Sequence, residues 1–346
     1  MIEMKLDTLA EVLAEVERIY RQSEEGLAEH LYRELLLNSL KCKRDDLDLL
    51  DLKVIRRALS EFRYAARVFK PYRKTRKVSI FGSARTRQDD PHFQMAVEFA
   101  RLLAENAFMV ITGAAEGIMK AGNIGAGAAN SFGVNILLPF EQSANDVILD
   151  DPKLISFKYF FTRKVFFLME AHAVALFPGG FGTHDEGFEA LTLIQTGKAP
   201  PMPVLLMETP DSDYWIKWDA FIREQLLGRG LISPEDVSLY KICHSPRAGL
   251  DWIRHFYSTY HSERQVKDRL VLRLEKPLSE THVERLNERY RDILVRGRIE
   301  KTAALPEEDN EPALRDKPRL VFHCDRSRTA RLHQMILEIN DLGRTV

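Results

Sequence analysis

Residues 178–186 read Pro178-Gly179-Gly180-Phe181-Gly182-Thr183-His184-Asp185-Glu186. An apolar run at 173–177 enters this stretch and a helical pattern over 187–195 leaves it, as expected of a strand, a glycine turn and a helix start. Glycines in such a turn let backbone amides approach an anion closely, and a helix N-terminus adds about half a positive charge. Glu186 brings a carboxylate to the same place. The chemistry suggested is a phosphorylated ligand held beside an ionised glutamate. A structural reading fits the same letters: Thr183 as N-cap with Glu186 three residues on makes a capping box. Local pattern leaves both readings open.

The elements that position this stretch follow from periodicity. Short apolar runs at 78–81, 108–111, 134–138, 173–177 and 204–207 alternate with helical patterns at 93–106, 119–130, 163–171 and 186–196. That alternation predicts right-handed βαβ units and a Rossmann-like, doubly wound parallel sheet of the α/β class, covered on both faces. Ligands of such sheets bind at the C-terminal ends of the strands. Three glycine-containing loops fall there: Gly82-Ser83-Ala84-Arg85, Thr112-Gly113-Ala114-Ala115-Glu116-Gly117, and 178–183.

The flanks differ. Residues 6–69 carry two helical apolar stripes, one through Leu9, Val12, Leu13, Val16, Ile19 and Tyr20, the other through Ile55, Leu59, Phe62, Ala66 and Phe69. A helical region this short buries little alone, so the stripes are expected to pack on the central domain or on a partner subunit. The basic run 70–77 reads as a solvated linker. After residue 262 the pattern predicts a small α+β module, with strands at 269–274 and 319–323, helices at 280–294 and 329–340, and a charged, proline-containing loop at 305–316. The expected organisation is therefore an N-terminal helical region (1–72), a nucleotide-binding domain (73–262) and a C-terminal module (263–346).

Bulk properties narrow the function classes. The 346 residues are 45% hydrophobic and 29% charged, with a net charge of −1, so nothing in the charge balance calls for nucleic acid or an anionic membrane as partner. The three cysteines, Cys42, Cys243 and Cys324, lie far apart without metal-type neighbours, which points to reduced thiols and no metal site. The N-terminus lacks the signature of a secretory signal, and a cytoplasmic location is expected. No Gly-x-Gly-x-x-Gly follows the first strand, and Gly122, Gly125 and Gly127 sit inside a helical pattern with the wrong spacing, which argues against a dinucleotide oxidoreductase. No glycine loop ends in Gly-Lys-Ser/Thr, so a P-loop nucleotidase is excluded.

Four blocks together, Phe81-Gly82-Ser83-Ala84-Arg85, 112–119, Phe160-Phe161-Thr162-Arg163-Lys164 and the 178–186 stretch, resemble the LOG family. These are cytokinin-activating phosphoribohydrolases once described as lysine decarboxylases. The likeness covers about residues 78–260, and Asn135-Ile136-Leu137-Leu138-Pro139-Phe140-Glu141-Gln142 is similar to the family's longer bacterial branch. The resemblance implies hydrolysis of the N-glycosidic bond of a nucleoside 5′-monophosphate, giving free base and ribose 5-phosphate, with no metal or other cofactor. It places the catalytic pair on Arg163 and Glu186. Phosphate and ribose contacts fall on Gly82, Ser83, Gly113, Gly117, Met119, Lys164, Pro178, Gly179, Gly180, Gly182 and Thr183. It also implies a homodimer or higher homo-oligomer.

Elementary chemistry agrees with those roles. Cleaving a ribosyl C–N bond passes through a cation-like state that a carboxylate stabilises, or attacks through activated water. Near a helix N-terminus Glu186 is expected to stay ionised at neutral pH, and the Arg163 fork suits phosphate, ribose or the carboxylate itself. One departure stands out. The family's Thr-Gly-Gly-Gly-x-Gly loop here carries Ala114, Ala115 and Glu116, which restricts φ and brings an acid towards the phosphate. That departure supports a rival function, a non-catalytic nucleotide sensor on the same fold.

Overall fold

The structure is a computed structural model that describes residues 9–20, 26–137 and 144–344. Residues 1–8, 21–25 and 138–142, parts of the expected helical flank and of the 135–142 stretch, lie outside the described residues. The chain divides into two compact units, residues 1–60 and 61–346. The first holds α1 (Leu9–Tyr20), α2 (Leu27–Arg44) and the opening of α3 (Leu49–Phe69). Leu31, Leu35, Leu40, Leu49 and Leu50 stay exposed along these helices.

The second unit is built on a seven-stranded parallel sheet. Its strands are β1 (Lys77–Phe81), β2 (Met109–Thr112), β3 (Ser131–Ile136), β4 (Leu154–Phe157), β5 (Ala173–Leu176), β6 (Val204–Met207) and β7 (Tyr240–Cys243), ordered β4-β3-β2-β1-β5-β6-β7. The chain lays strands outward from β1 to β4, then returns to the other side of β1 with β5. This is the doubly wound Rossmann-like arrangement that the alternating pattern predicts, and the order reverses between β1 and β5.

Both faces of the sheet are covered, and the side-chain period of two divides the strand residues between them. Val78, Ile80, Ala173, Ala175, Leu205 and Met207 pack under α4 (Pro91–Glu105), α5 (Ile118–Ala126) and α9 (Pro246–Phe256). Phe81, Val174, Leu176, Val204 and Leu206 pack on the other side with α6 (Phe160–Met169), α7 (Phe181–Gln195), α8 (Tyr214–Phe221) and the end of α3. Helix starts follow local rules. At α4 the Asp90 side chain accepts from the His92 amide at 2.7 Å and Pro91 takes the first helical position, where its missing N–H costs nothing.

Residues from 260 onward form a second layer of structure: β8 (Tyr260–Val266), β9 (Arg269–Leu274), α10 (Glu280–Arg289), β10 (Leu294–Thr302), β11 (Arg319–Cys324) and α11 (Thr329–Leu342). Their four-stranded antiparallel sheet runs β10-β11-β9-β8. It packs its own core of Leu270, Leu272, Leu286, Ile299, Leu320, Met335 and Ile339. The α+β expectation holds; β8 and β10 were not anticipated, nor were β4 and β7 in the large sheet.

A buried charge cluster locks the loop 305–316 onto this small sheet. Glu308 accepts from Arg273 (2.9 and 2.6 Å), from Arg319 (2.9 Å) and from the Leu305 amide (3.0 Å). All three charged side chains are nearly inaccessible. Removing the carboxylate leaves Arg273 to Glu311 and Arg319 to backbone carbonyls alone, a buried pair broken on one side, so Glu308→Ala is expected to cost about 3 kcal/mol in chemical denaturation. The exposed Glu98–Arg101 pair makes the contrast: Glu98→Ala is expected to cost under about 1 kcal/mol.

Candidate functional site

The predicted loops meet where the strand order reverses. Gly82 and Ser83 follow β1, and Phe177 and Pro178 follow β5. The Ser83 amide donates to the Pro178 carbonyl at 3.1 Å, and the Ser83 carbonyl accepts from the Ile118 amide at 3.1 Å. One residue thus ties the ends of β1 and β5 to the start of α5. Gly117 must be glycine here: its φ is +65°, and a Cβ would lie 2.2 Å from the Ser83 carbonyl oxygen. Gly82 lies against Ile118, and the Met119 sulfur covers Gly113.

The third loop differs from one of the two sequence readings. Helix α7 begins at Phe181 with Gly180 in the N-cap position. Thr183 and Glu186 are therefore the third and sixth helical residues, too far in for a capping box. Thr183 packs instead against Gly179, where a Cβ would meet its Oγ1 at 2.1 Å. At Gly180 and Gly182 a Cβ would meet nothing within 4 Å. The bare backbone of these two residues faces open space at a helix N-terminus, the geometry an anion needs.

Arg163 and Lys164 come from α6. The buried Glu61 carboxylate fixes the start of that helix by accepting from the Lys158 amide (2.7 Å) and the Thr162 hydroxyl (2.6 Å). A negative charge there also suits the helix dipole. The Arg163 guanidinium lies over the Phe160 and Phe167 rings at 4.9 and 5.4 Å. Lys164 bridges Asp185 (2.9 Å) and Glu189 (2.5 Å) on α7. Its ammonium is engaged by carboxylates, so it pins α6 to α7 beside Glu186.

Glu186 itself is buried, 5% exposed, and its Oε2 has no hydrogen-bond partner. Burial pushes its pKa up to about 7, against the pull of Lys164 and Arg163 and with a further push from Glu189 and Asp185. The expectation of a fully ionised carboxylate at neutral pH is corrected by this. Desolvation outweighs the helix terminus because the side chain sits beyond the first turn, where the dipole effect has faded. A group poised near 7 can take or give a proton.

The 112–117 loop takes a left-handed backbone at Ala114 that glycine would adopt freely. Ala114 holds φ at +60° and is fully buried. Its carbonyl accepts from the Asn145 amide (2.8 Å) and side chain (3.1 Å), while the Asn145 side chain also reaches Ala115 and Asn123. Glu116 is half-exposed and turned to Lys120 at 3.4 Å. Its charge is directed to a lysine that Asp146 also holds.

One part of the site went unseen in the sequence. The Tyr214 hydroxyl donates to the Gly179 carbonyl at 2.5 Å and, its only proton spent, accepts from Nε2 of His184 at 2.6 Å. Burial lowers the His184 pKa, so the ring is held towards its neutral form with the proton on Nε2. The relay props the glycine turn from behind. A histidine inside the motif followed by a tyrosine 30 residues on is too loose a spacing to signal this.

Among the described residues, no helix is long and apolar enough to cross a membrane. No curated protein matches the chain. Among solved structures, a molybdenum cofactor binding protein from Rippkaea orientalis is 19% identical, over 52% of this chain and 96% of that one, with a TM-score of 0.39. The molybdenum cofactor carrier protein from Chlamydomonas reinhardtii is 18% identical over 52% and 97%, with a TM-score of 0.37. DNA processing protein A from Helicobacter pylori is 17% identical over 52% and 81%, at 0.36. Residues 111–253 match the family model described as "possible lysine decarboxylase". The LOG-like family likeness read from the motifs is thus matched over residues 111–253, which hold three of the four blocks.

Proposed function

We propose that the protein hydrolyses the N-glycosidic bond of nucleoside 5′-monophosphates. The observation that carries this reading is the buried, proton-poised Glu186 set beside Arg163 and next to an open glycine cradle at the strand-order reversal. The cradle amides of Gly180 and Gly182 take the 5′-phosphate, with Ser83 and Thr183 at its edge. Arg163 reaches ribose or phosphate oxygens. Ionised Glu186 removes a proton from water as its oxygen bonds to C1′. The C1′–N electron pair leaves with the base, which takes a proton from solvent to become the free base, while Glu186 returns its own proton to solvent. Ribose 5-phosphate remains. Lys164 and the His184–Tyr214 relay position these groups without touching substrate.

Glu186→Gln keeps the shape and removes the charge. Base release from a panel of nucleoside monophosphates is expected to fall by at least ~100-fold. Binding without any turnover in the wild-type protein would favour the sensor reading that the Ala114–Glu116 loop raises. The wild-type kcat/KM is expected to rise with pH along a limb near 7, as Glu186 ionises; a flat profile from pH 5.5 to 8.5 would remove Glu186 from the proton transfer. Stability moves the other way. A carboxyl with a raised folded pKa binds its proton more tightly in the native state, so its contribution is full below pH about 4.5 and is lost as pH rises through about 7. Glu186→Gln is therefore expected to melt higher than wild type at pH 8 and to lose that advantage at pH 5.

The cradle predicts phosphate dependence. A 5′-monophosphate is expected to be cleaved at least ~100-fold more efficiently than its bare nucleoside; equal rates would overturn the phosphate assignment. A homodimer belongs to the same proposal. Phe160, Phe161 and Met169 on α6 are about half exposed, and Phe181 on α7 is 96% exposed. Such an apolar face beside the site suits a two-fold interface. Light scattering at micromolar concentration is expected to give twice the chain mass, and Phe161→Glu to shift it towards the monomer. A wild-type monomer with full activity would contradict this.

A further inference from the structure

The opposite end of the central sheet carries a second cavity, of about 700 Å³, within the size range of small-molecule sites. Its walls come from both layers of the second unit. Arg73, Lys74 and Arg76 lead into β1, Met169 and His172 lead into β5, and Pro200 to Met202 lead into β6; Tyr257, Tyr260, His261 and the 310–314 loop close it from the C-terminal side. All three strand-leading segments sit at strand N-termini. A strand of five residues, about 16 Å, separates this place from the glycine cradle at the C-termini.

The charge inside is unbalanced. Among the described residues neither Arg73 nor Lys74 forms an ion pair, and both are exposed to the cavity mouth. Arg76 stacks on the Tyr257 ring at 3.6 Å, with Glu275 at 3.8 Å, and its Nη1 is buried without a hydrogen-bond acceptor. The lining carboxylates do not answer these cations. Glu311 is bound by Arg264 and Arg273, and burial pushes Glu263 up to about 7. The other polar walls are neutral donors. His172 accepts from the Lys77 amide through Nδ1 at 3.3 Å, which leaves its proton on Nε2, and burial holds both His172 and His261 uncharged, with pKa values of about 4.

We infer that this cavity is a binding site for a phosphorylated small molecule carrying two or more negative charges, held between the central sheet and the C-terminal module. Two guanidinium groups and an ammonium on the segment that leads into β1, with the neutral Nε2–H of His172 on the neighbouring wall, supply the charge and the donors that the oxygens of a multiply charged phosphate need. Because the ligand touches both layers, its binding stabilises their docking and raises the melting temperature.

The test is calorimetric titration of the full chain with pyrophosphate, run in a Gly182→Asp background, which sets a carboxylate in the open cradle where a Cβ meets nothing within 4 Å. Saturable one-to-one binding and a raised melting temperature are expected. The Arg73→Ala/Lys74→Ala double variant, whose side chains support no packing, is expected to bind at least ~10-fold more weakly while melting normally without ligand. Unchanged affinity in that variant, or no binding at millimolar pyrophosphate, overturns the proposal. Citrate bound as tightly as pyrophosphate overturns the assignment to phosphate. None of these outcomes depends on base release, so a failure of the glycosidase reading leaves this titration decisive.

Discussion

The pairing of β1 with β5 is the contact on which the rest depends. It brings together residues 77–81 and 173–176, nearly 100 positions apart, in register from Val78–Ala173 to Phe81–Leu176. The strand order reverses across this pair, so the connections leaving its two C-terminal ends diverge to opposite faces of the sheet. A crevice is left between them. The Ser83–Pro178 hydrogen bond holds its lips together, and glycines let α5 and α7 start against it. Every group in the proposed chemistry is placed by an element that begins at this seam or packs on one that does.

How much of this the sequence made legible depends on burial. The five central strands announce themselves because both their faces are covered, which demands unbroken apolar runs. The four strands that escaped notice, β4, β7, β8 and β10, are the four that end the two sheets. Each is partly wet, with mixed residues such as Tyr240-Lys241-Ile242-Cys243 and a glycine at φ +69° inside β10. Edge strands are commonly short, bulged or charged because their open side must not recruit another chain. Their composition is therefore set by solvent, and it hides them.

The site was legible in type and less so in state. The strand–loop pattern set the glycine loops of Ser83, Gly117 and Gly179 at one end of the sheet, and the family resemblance added Arg163 and Glu186 to them. The ionisation of Glu186 was misjudged, because the N-cap of α7 falls at Gly180 rather than at Thr183, and the three extra residues of helix carry the carboxyl out of the first turn and into the core. A shift of that size is invisible to pattern, since boundary positions are the weakest part of any such reading. The His184–Tyr214 relay was invisible for a different reason: it joins α7 to α8 through tertiary packing alone.

The two alanines in the 112–117 loop show what the chain does when a glycine position changes. Holding Ala114 at φ +60° costs about 1–2 kcal/mol. Asn145 offsets it by donating to both the Ala114 and Ala115 carbonyls and to Asn123, whose Oδ1 in turn accepts from Thr112. The Ala114 methyl adds contacts with Ala144 and Ile148. A loop built from glycines would reach the same conformation without these supports, but it would also lose more entropy on ordering. Replacing intrinsic freedom by side-chain bracing leaves Glu116 outside the brace, turned to Lys120 and away from the buried loop carbonyls. The acid that the sequence set in this loop is thereby left half in solvent, where Lys120 answers its charge and solvent screens the rest.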